Sequence, residues 1–222
     1  MDDWRIVTEA EPWLVGDAEV ATVRALDRPF QPTRRFAAVF PRVAELLGRA
    51  RRTTVGLPAG PHTLFAWGEA ASGVRAWLCP APPDAAPADA APDHQLFLGC
   101  IGGITARFNE PADNWLLNHN HALTAAEVRR NASFLADYSW AFEECGGIPI
   151  SATEWYPAAW EANGNCVLCS RATGELLFFA PDHADPTLVP YAGCPMFTLH
   201  TRPGAGSLRE WVETIAAQWT AG

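Results

Sequence analysis

Cys166-Val167-Leu168-Cys169 has the C-x-x-C spacing of zinc and redox sites, and His183 and Cys194 follow as two further residues able to complete a four-ligand set. Zinc needs its thiolates and imidazoles to converge from one side. Residues three apart on a β-strand point to opposite faces, and Asn165 to Ser170 reads as strand rather than as a tight knuckle. A thioredoxin-type motif sits at a helix start after a strand, which this one does not. The cysteines are therefore expected to be buried and structural, because free cysteine is among the most buried residue types.

Asn118-His119-Asn120-His121 is the most polar cluster of the second half. In an extended chain His119 and His121 share a face and form half of a metal site, but no carboxylate is placed to join them; the asparagines favour a turn leading into the next helix. Asp182, His183 and Asp185 resemble an acid–base set, yet Pro181 and Pro186 flank them and mark a solvated loop. No G-x-S-x-G elbow occurs, and Gly99 to Gly103 (GCIGG) lacks the spacing and the lysine of a phosphate loop. No cofactor is expected. A metal- or thiol-dependent enzyme using His119 and His121 or Cys166 and Cys169 stays open as an alternative, as does a small-ligand sensor with a tryptophan-lined pocket.

Ten tryptophans are many for 222 residues. Most are expected in the core, where aromatic burial dominates packing energetics. Trp115, Trp155 and Trp160 lie in segments rich in Asn, Glu and Pro, and aromatics on loops are common interface anchors. Charge points the same way. With 16 basic and 25 acidic residues the net charge is −9, which disfavours a nucleic-acid binder and suits docking onto a basic protein. Met1 to Trp13 is acidic and lacks a signal-peptide pattern, and no apolar run approaches the ~20 residues of a membrane span. A cytoplasmic protein with mostly reduced cysteines, and no membrane partner, is expected.

The elements that must position these residues are legible in part. Arg34 to Arg52 carries Phe36, Val39, Phe40, Val43, Leu46 and Leu47 at helical spacing, with Pro41 either kinking the helix or starting it. Thr63 to Trp67 and Val74 to Cys79 form a hairpin. Residues 80–93 (PAPPDAAPADAAPD) read as an extended, exposed loop within one domain spanning residues 1–222. After an apolar run over Gln95 to Cys100 and a strand over Ile104 to Phe108, Thr124 to Glu127 forms a capping box for a helix that ends at Gly146-Gly147. Cys166 to Ser170 and Glu175 to Ala180 form a second hairpin, Phe197 to His200 a strand, and Ser207 caps a final helix with Leu208, Trp211, Val212, Ile215, Ala216 and Trp219 on one face. This order predicts an α+β fold with a mostly antiparallel sheet packed against several helices.

The second half resembles a known family. The features are the run Leu96 to Gly103 ending in a glycine pair, the Asn163-Gly164-Asn165 turn and the strand pair around Thr173-Gly174-Glu175. Ala180-Pro181-Asp182 and the final Ser-x-x-x-Trp-Val-Glu helix complete them. From about Asp93 to Gly222 the chain looks like the SUKH superfamily of small α+β proteins, many of them bacterial immunity proteins. The resemblance implies neutralisation of a cognate toxin by occlusion. Partner contacts are then expected on the loops from Asn114 to His121 and from Trp155 to Asn165. The candidates are Asn114, Trp115, His119, His121, Trp155, Trp160 and Asn163, with Glu161, Asp182 and Asp185 as acidic contacts to a basic toxin.

Overall fold

The computed structural model describes residues 2–10, 20, 22–69, 73–112, 121–161, 163–182 and 186–220. Two five-stranded sheets, with every named strand pair antiparallel, carry helices on their faces, so the architecture is α+β. No helix of the described residues is long and apolar enough to cross a membrane.

The first sheet is a meander, β1 (Thr22–Leu26), β2 (Arg51–Leu57), β3 (Gly60–Trp67), β4 (Arg75–Pro80) and β5 (Ala106–Phe108), paired in that order. Its side chains alternate as a strand requires. Leu64 and Ala66 face α1 (Asp3–Ala10), where Trp4 and Val7 cover them. Phe65 points the other way, into the principal core. The hairpin expected from Thr63 to Cys79 is present, in the register Thr63–Cys79 to Trp67–Arg75.

The helix expected from Arg34 is two helices, α2 (Arg34–Val39) and α3 (Pro41–Arg49). Pro41 lacks the N–H that a continuous helix would need and occupies the first position of α3. The residue before α3, Phe40, offers no capping side chain. Glu213, from the far end of the sequence, supplies the missing acceptor: its carboxylate receives the N–H groups of Arg42 at 3.0–3.1 Å and of Val43 at 3.1 Å. Glu213 lies on α6 (Leu208–Thr220), whose buried row is the set read from the sequence, Leu208, Trp211, Val212, Ile215, Ala216 and Trp219.

The second sheet has the order β6 (Trp155–Trp160), β7 (Cys166–Ser170), β8 (Leu176–Phe179), β10 (Leu199–Thr201), β9 (Val189–Pro190). Gly174, at φ +74°, supplies the turn between β7 and β8. The sheets are joined at residues 122–123. Ala122 exchanges 2.8 Å hydrogen bonds with Ile104 on one side and bridges Ala159 on the other, while the Leu123 N–H donates to Ala158 O at 2.6 Å. The glycine pair fits this seam. A Cβ at Gly102 would press on the carbonyl oxygens of Ala81 and, at 2.7 Å, of Pro80; at Gly103, φ +109°, it would lie 2.8 Å from Leu123 O.

Around the seam, α2, α3, α6 and α4 (Pro92–Leu98) cover one face of both sheets. The principal core thus contains Trp77 of the first sheet beside Tyr156, Val167 and Phe178 of the second. Half of residues 80–93 are exposed and most of the others partly buried, while Ala90 and Ala91 are buried and Pro92 opens α4, so the loop is shorter and less exposed than the composition suggests. A second correction concerns the helix expected from Thr124 to Cys145. It is a single turn, α5 (Ala125–Val128), followed by a 3-10 helix over Ala132–Cys145. The Thr124 hydroxyl bonds the Glu127 carboxylate instead of a backbone donor, so the capping box does not form. Asn131 then starts the second piece by accepting the Ser133 N–H at 3.0 Å.

Candidate functional site

The 3-10 helix lies on the outer face of the second sheet. With three residues per turn, side chains at i and i+3 eclipse, and Ala132, Leu135 and Tyr138 form one inward row. Tyr138 meets Phe179 edge-on at 4.9 Å, and Phe134 meets Trp160 at 4.6 Å. The backbone departs from helical angles at Tyr138, and two residues on, Trp140 stands 69% exposed.

Facing this helix is the segment between β9 and β10. Its turn is closed by the Cys194 N–H donating to Tyr191 O and the Tyr191 N–H to Leu199 O, both at 2.8 Å. The Thr198 hydroxyl donates to Pro195 O at 2.5 Å, and Thr198 itself is fully buried. These bonds hold Phe197 at φ +68°, a left-handed conformation that a bulky L-residue adopts at a cost of roughly 1–3 kcal/mol. Phe197 is nonetheless 45% exposed and its neighbour Met196 66%. A groove of about 480 Å³ runs between the two walls, lined by Tyr138, Trp140, Ala141 and Glu144 on one side and by Pro181, Asp182, Pro195, Met196 and Phe197 on the other. None of these described lining residues is basic, while the carboxylates of Glu144 and Asp182 are exposed at its rim.

The sequence-predicted residues distribute around this groove unevenly. Asp182 lines it. Asn163 is exposed in the β6–β7 turn, whose Gly164 lies beside the Tyr138 hydroxyl and the Pro181 ring. Glu161 faces inward to that turn: one carboxylate oxygen accepts from Asn163 at 2.9 Å and from Asn165 at 3.0 Å, which fixes the hairpin rather than presenting a charge. Trp155 and Trp160, expected on a loop, are the ends of β6. Trp155 is 7% exposed and belongs to the core beneath the 3-10 helix; Trp160 is half-buried under Phe134. His121 is exposed beside the seam. Asn114, Trp115, His119, His183 and Asp185 lie outside the described residues.

The thiols take the places strand geometry dictates. Cys166 packs under the 3-10 helix and Cys169 in the principal core, on opposite faces of β7, so the two sulfurs cannot meet at one metal. Burial pushes the Cys169 thiol up to about 12 and that of Cys166 well above its ordinary value, so both are held as neutral thiols. No group of three or more metal-ligating side chains occurs among the described residues. The pair that does meet is Cys145 and Cys194, with sulfurs 3.9 Å apart where the 3-10 helix ends against the opposite wall of the groove.

A second polar cluster is buried at the seam. His94 accepts the Tyr156 O–H at Nδ1 (2.8 Å) and donates Nε2–H to Leu123 O (3.0 Å), the tautomer a carbonyl partner requires. Burial lowers its pKa to about 4, opposed by the Leu123 carbonyl. The Arg171 guanidinium stacks on Tyr156 at 5.1 Å and meets Asp89 at 2.6 Å. With His94 and Tyr156 wholly buried, these bonds fasten α4 and the Leu123 backbone to β6 of the second sheet.

Trp140, Met196 and Phe197 were missed by sequence reasoning. Trp140 sits inside a run that reads as a continuous amphipathic helix, and nothing local announces that Phe197 is left-handed. Comparison with family models, with curated proteins and with solved structures found no match to this chain.

Proposed function

We propose that this chain is a non-catalytic binding protein of the immunity type, which docks a basic protein in the groove between the 3-10 helix and the Tyr191–Thr198 segment and blocks it by occlusion. The observation that carries the reading is the convergence of exposed Trp140, Met196 and Phe197 on one acid-rimmed groove. Exposed apolar patches on water-facing surfaces mark interaction sites, and aromatic anchors dominate binding energy. A net charge of −9 favours encounter with a basic partner, and the likeness of the second half to SUKH proteins supports a toxin as that partner.

The test is capture with the tagged protein from its own source, in parallel with Trp140→Ala and Asp182→Arg. The expected result is one basic protein recovered stoichiometrically by the native chain, lost with both substitutions, and inactive when saturated by it. Recovery unaffected by either change, or a partner that keeps its activity in the complex, overturns the reading.

A further inference from the structure

We infer that the groove is built to hold an arginine side chain presented by an exposed segment of the partner. The inference rests on the docking reading above and deepens it by naming the group recognised. Three aromatic residues, Tyr138, Trp140 and Phe197, line a space of about 480 Å³ together with the carboxylate-bearing Glu144 and Asp182. An apolar anchor alone would gain nothing from two acids at the rim. A lysine ammonium is compact and strongly hydrated, whereas a guanidinium is planar, weakly hydrated, stacks on aromatic faces and bonds carboxylates through a fork of N–H donors. A groove lined by both aromatic rings and carboxylate-bearing residues is complementary to the second ion. The described lining contains no cation of the chain's own.

The same combination recurs inside the molecule. Arg171 stacks its guanidinium on Tyr156 while bonding the Asp89 carboxylate, and Arg52 lies 5.8 Å from the centre of the Phe30 ring while donating to Arg28 O. In both cases the guanidinium carbon lies over a ring while its N–H groups donate to oxygen. The groove presents the ring and oxygen elements of that arrangement at the surface. Phe197 gives the site its cost: a left-handed aromatic is maintained by the surrounding hydrogen bonds with its side chain half out in water, where it adds little to the fold.

The experiment is an NMR titration of the full chain, following the Trp140 indole N–H, with N-acetyl-arginine amide up to tens of millimolar. N-acetyl-citrulline amide, neutral and nearly isosteric, and N-acetyl-lysine amide are titrated in parallel. A saturable shift of Trp140 with arginine, weaker with lysine and absent with citrulline, is the expected result. Glu144→Gln, an exposed change that leaves the dispersion of the spectrum intact, should weaken the arginine site roughly three- to tenfold. Equal response to citrulline, equal affinity for lysine, an unsaturable shift, or indifference to Glu144→Gln overturns the inference. If the arginine probe is silent while capture of a basic protein still depends on Trp140, the inference fails and the docking reading stands. If capture is indifferent to Trp140, the docking reading fails first.

Discussion

The outer faces of the two sheets are closed in different ways. On the first sheet, α1 lays Trp4 and Val7 over Leu64, Ala66 and Phe108, a helical stripe on an alternating sheet face, with the large apolar side chains of that pairing buried. On the second, the cover is a kinked 3-10 helix and an irregular segment with two non-glycine residues at positive φ, Ala192 and Phe197. It buries Leu135 and Phe142 but leaves Trp140, Met196 and Phe197 in water. The same job, shielding a five-stranded sheet, is done on one side by regular geometry and on the other by strained geometry that also builds a concave surface. Strain persists only where the surroundings impose it, and it clusters at sites that bind. The groove proposed for docking lies on the second of these faces.

The comparison depends on both sheets belonging to one cooperative unit, and the seam is where that can be broken. Gly102→Ala puts a methyl group against two backbone carbonyls that cannot swing aside as a side chain would. We expect a loss of about 3 kcal/mol or more in chemical denaturation, with fluorescence and far-ultraviolet dichroism moving together. Separate transitions for the two probes would show that the sheets unfold independently.

Acid sharpens the same point through His94. The sign follows from its lowered pKa: the unfolded chain takes up a proton near pH 6.5, the folded chain only near pH 4. Stability from this group is complete above about pH 6.5, falls as pH drops toward 4, and changes no further below that. The difference between the two values corresponds to at most roughly 3–4 kcal/mol. His200, also lowered by burial, acts in the same direction. Denaturation midpoints between pH 7 and pH 4 measure the slope, and in His94→Gln the His94 part of it should vanish. An unchanged slope in that variant would mean that His94 titrates normally.

Smaller in scale is Glu213→Gln. The carboxylate of Glu213 takes three backbone N–H contacts at the start of α3, where charge and helix dipole cooperate. Removing the charge and keeping the shape should cost about 1 kcal/mol at neutral pH, read as a lower denaturation midpoint, and leave the groove's binding untouched. A binding defect in this variant would show that the two faces of the second sheet communicate.

What the sequence disclosed divides along the same line. α6, both hairpins and the opposite facing of Cys166 and Cys169 follow from period and turn chemistry, which are local, and all are present. β2 went unread because Arg51-Arg52-Thr53-Thr54 buries only alternate residues of modest hydrophobicity and is recognised by its pairing with β3. The long helix from Thr124 was overdrawn. Its capping residues are the right types, but a side chain-to-side chain bond between Thr124 and Glu127 replaces the backbone bonds the motif implies. At the groove, Asp182 was legible as an acid in a loop, while Trp140 and Phe197 owe their exposure to tertiary contacts that no window of sequence contains.

The subtlest test separates strain from contact at a single residue. Phe197→Gly removes the ring and also the Cβ that disfavours φ +68°. Relief of the left-handed conformation stabilises, while the added freedom of glycine in the unfolded chain destabilises; the first is the larger of the two, leaving a net gain of up to about 1 kcal/mol. Phe197→Ala removes the ring but keeps the Cβ, and should show no such gain. Both should weaken partner binding by an order of magnitude or more, the usual scale for losing an aromatic anchor. A variant that becomes more stable as it binds less well would identify the left-handed Phe197 as geometry kept for the surface. If Phe197→Gly is the less stable of the two, the ring is a packing residue, and the contrast between the two outer faces rests on Trp140 and Met196 alone.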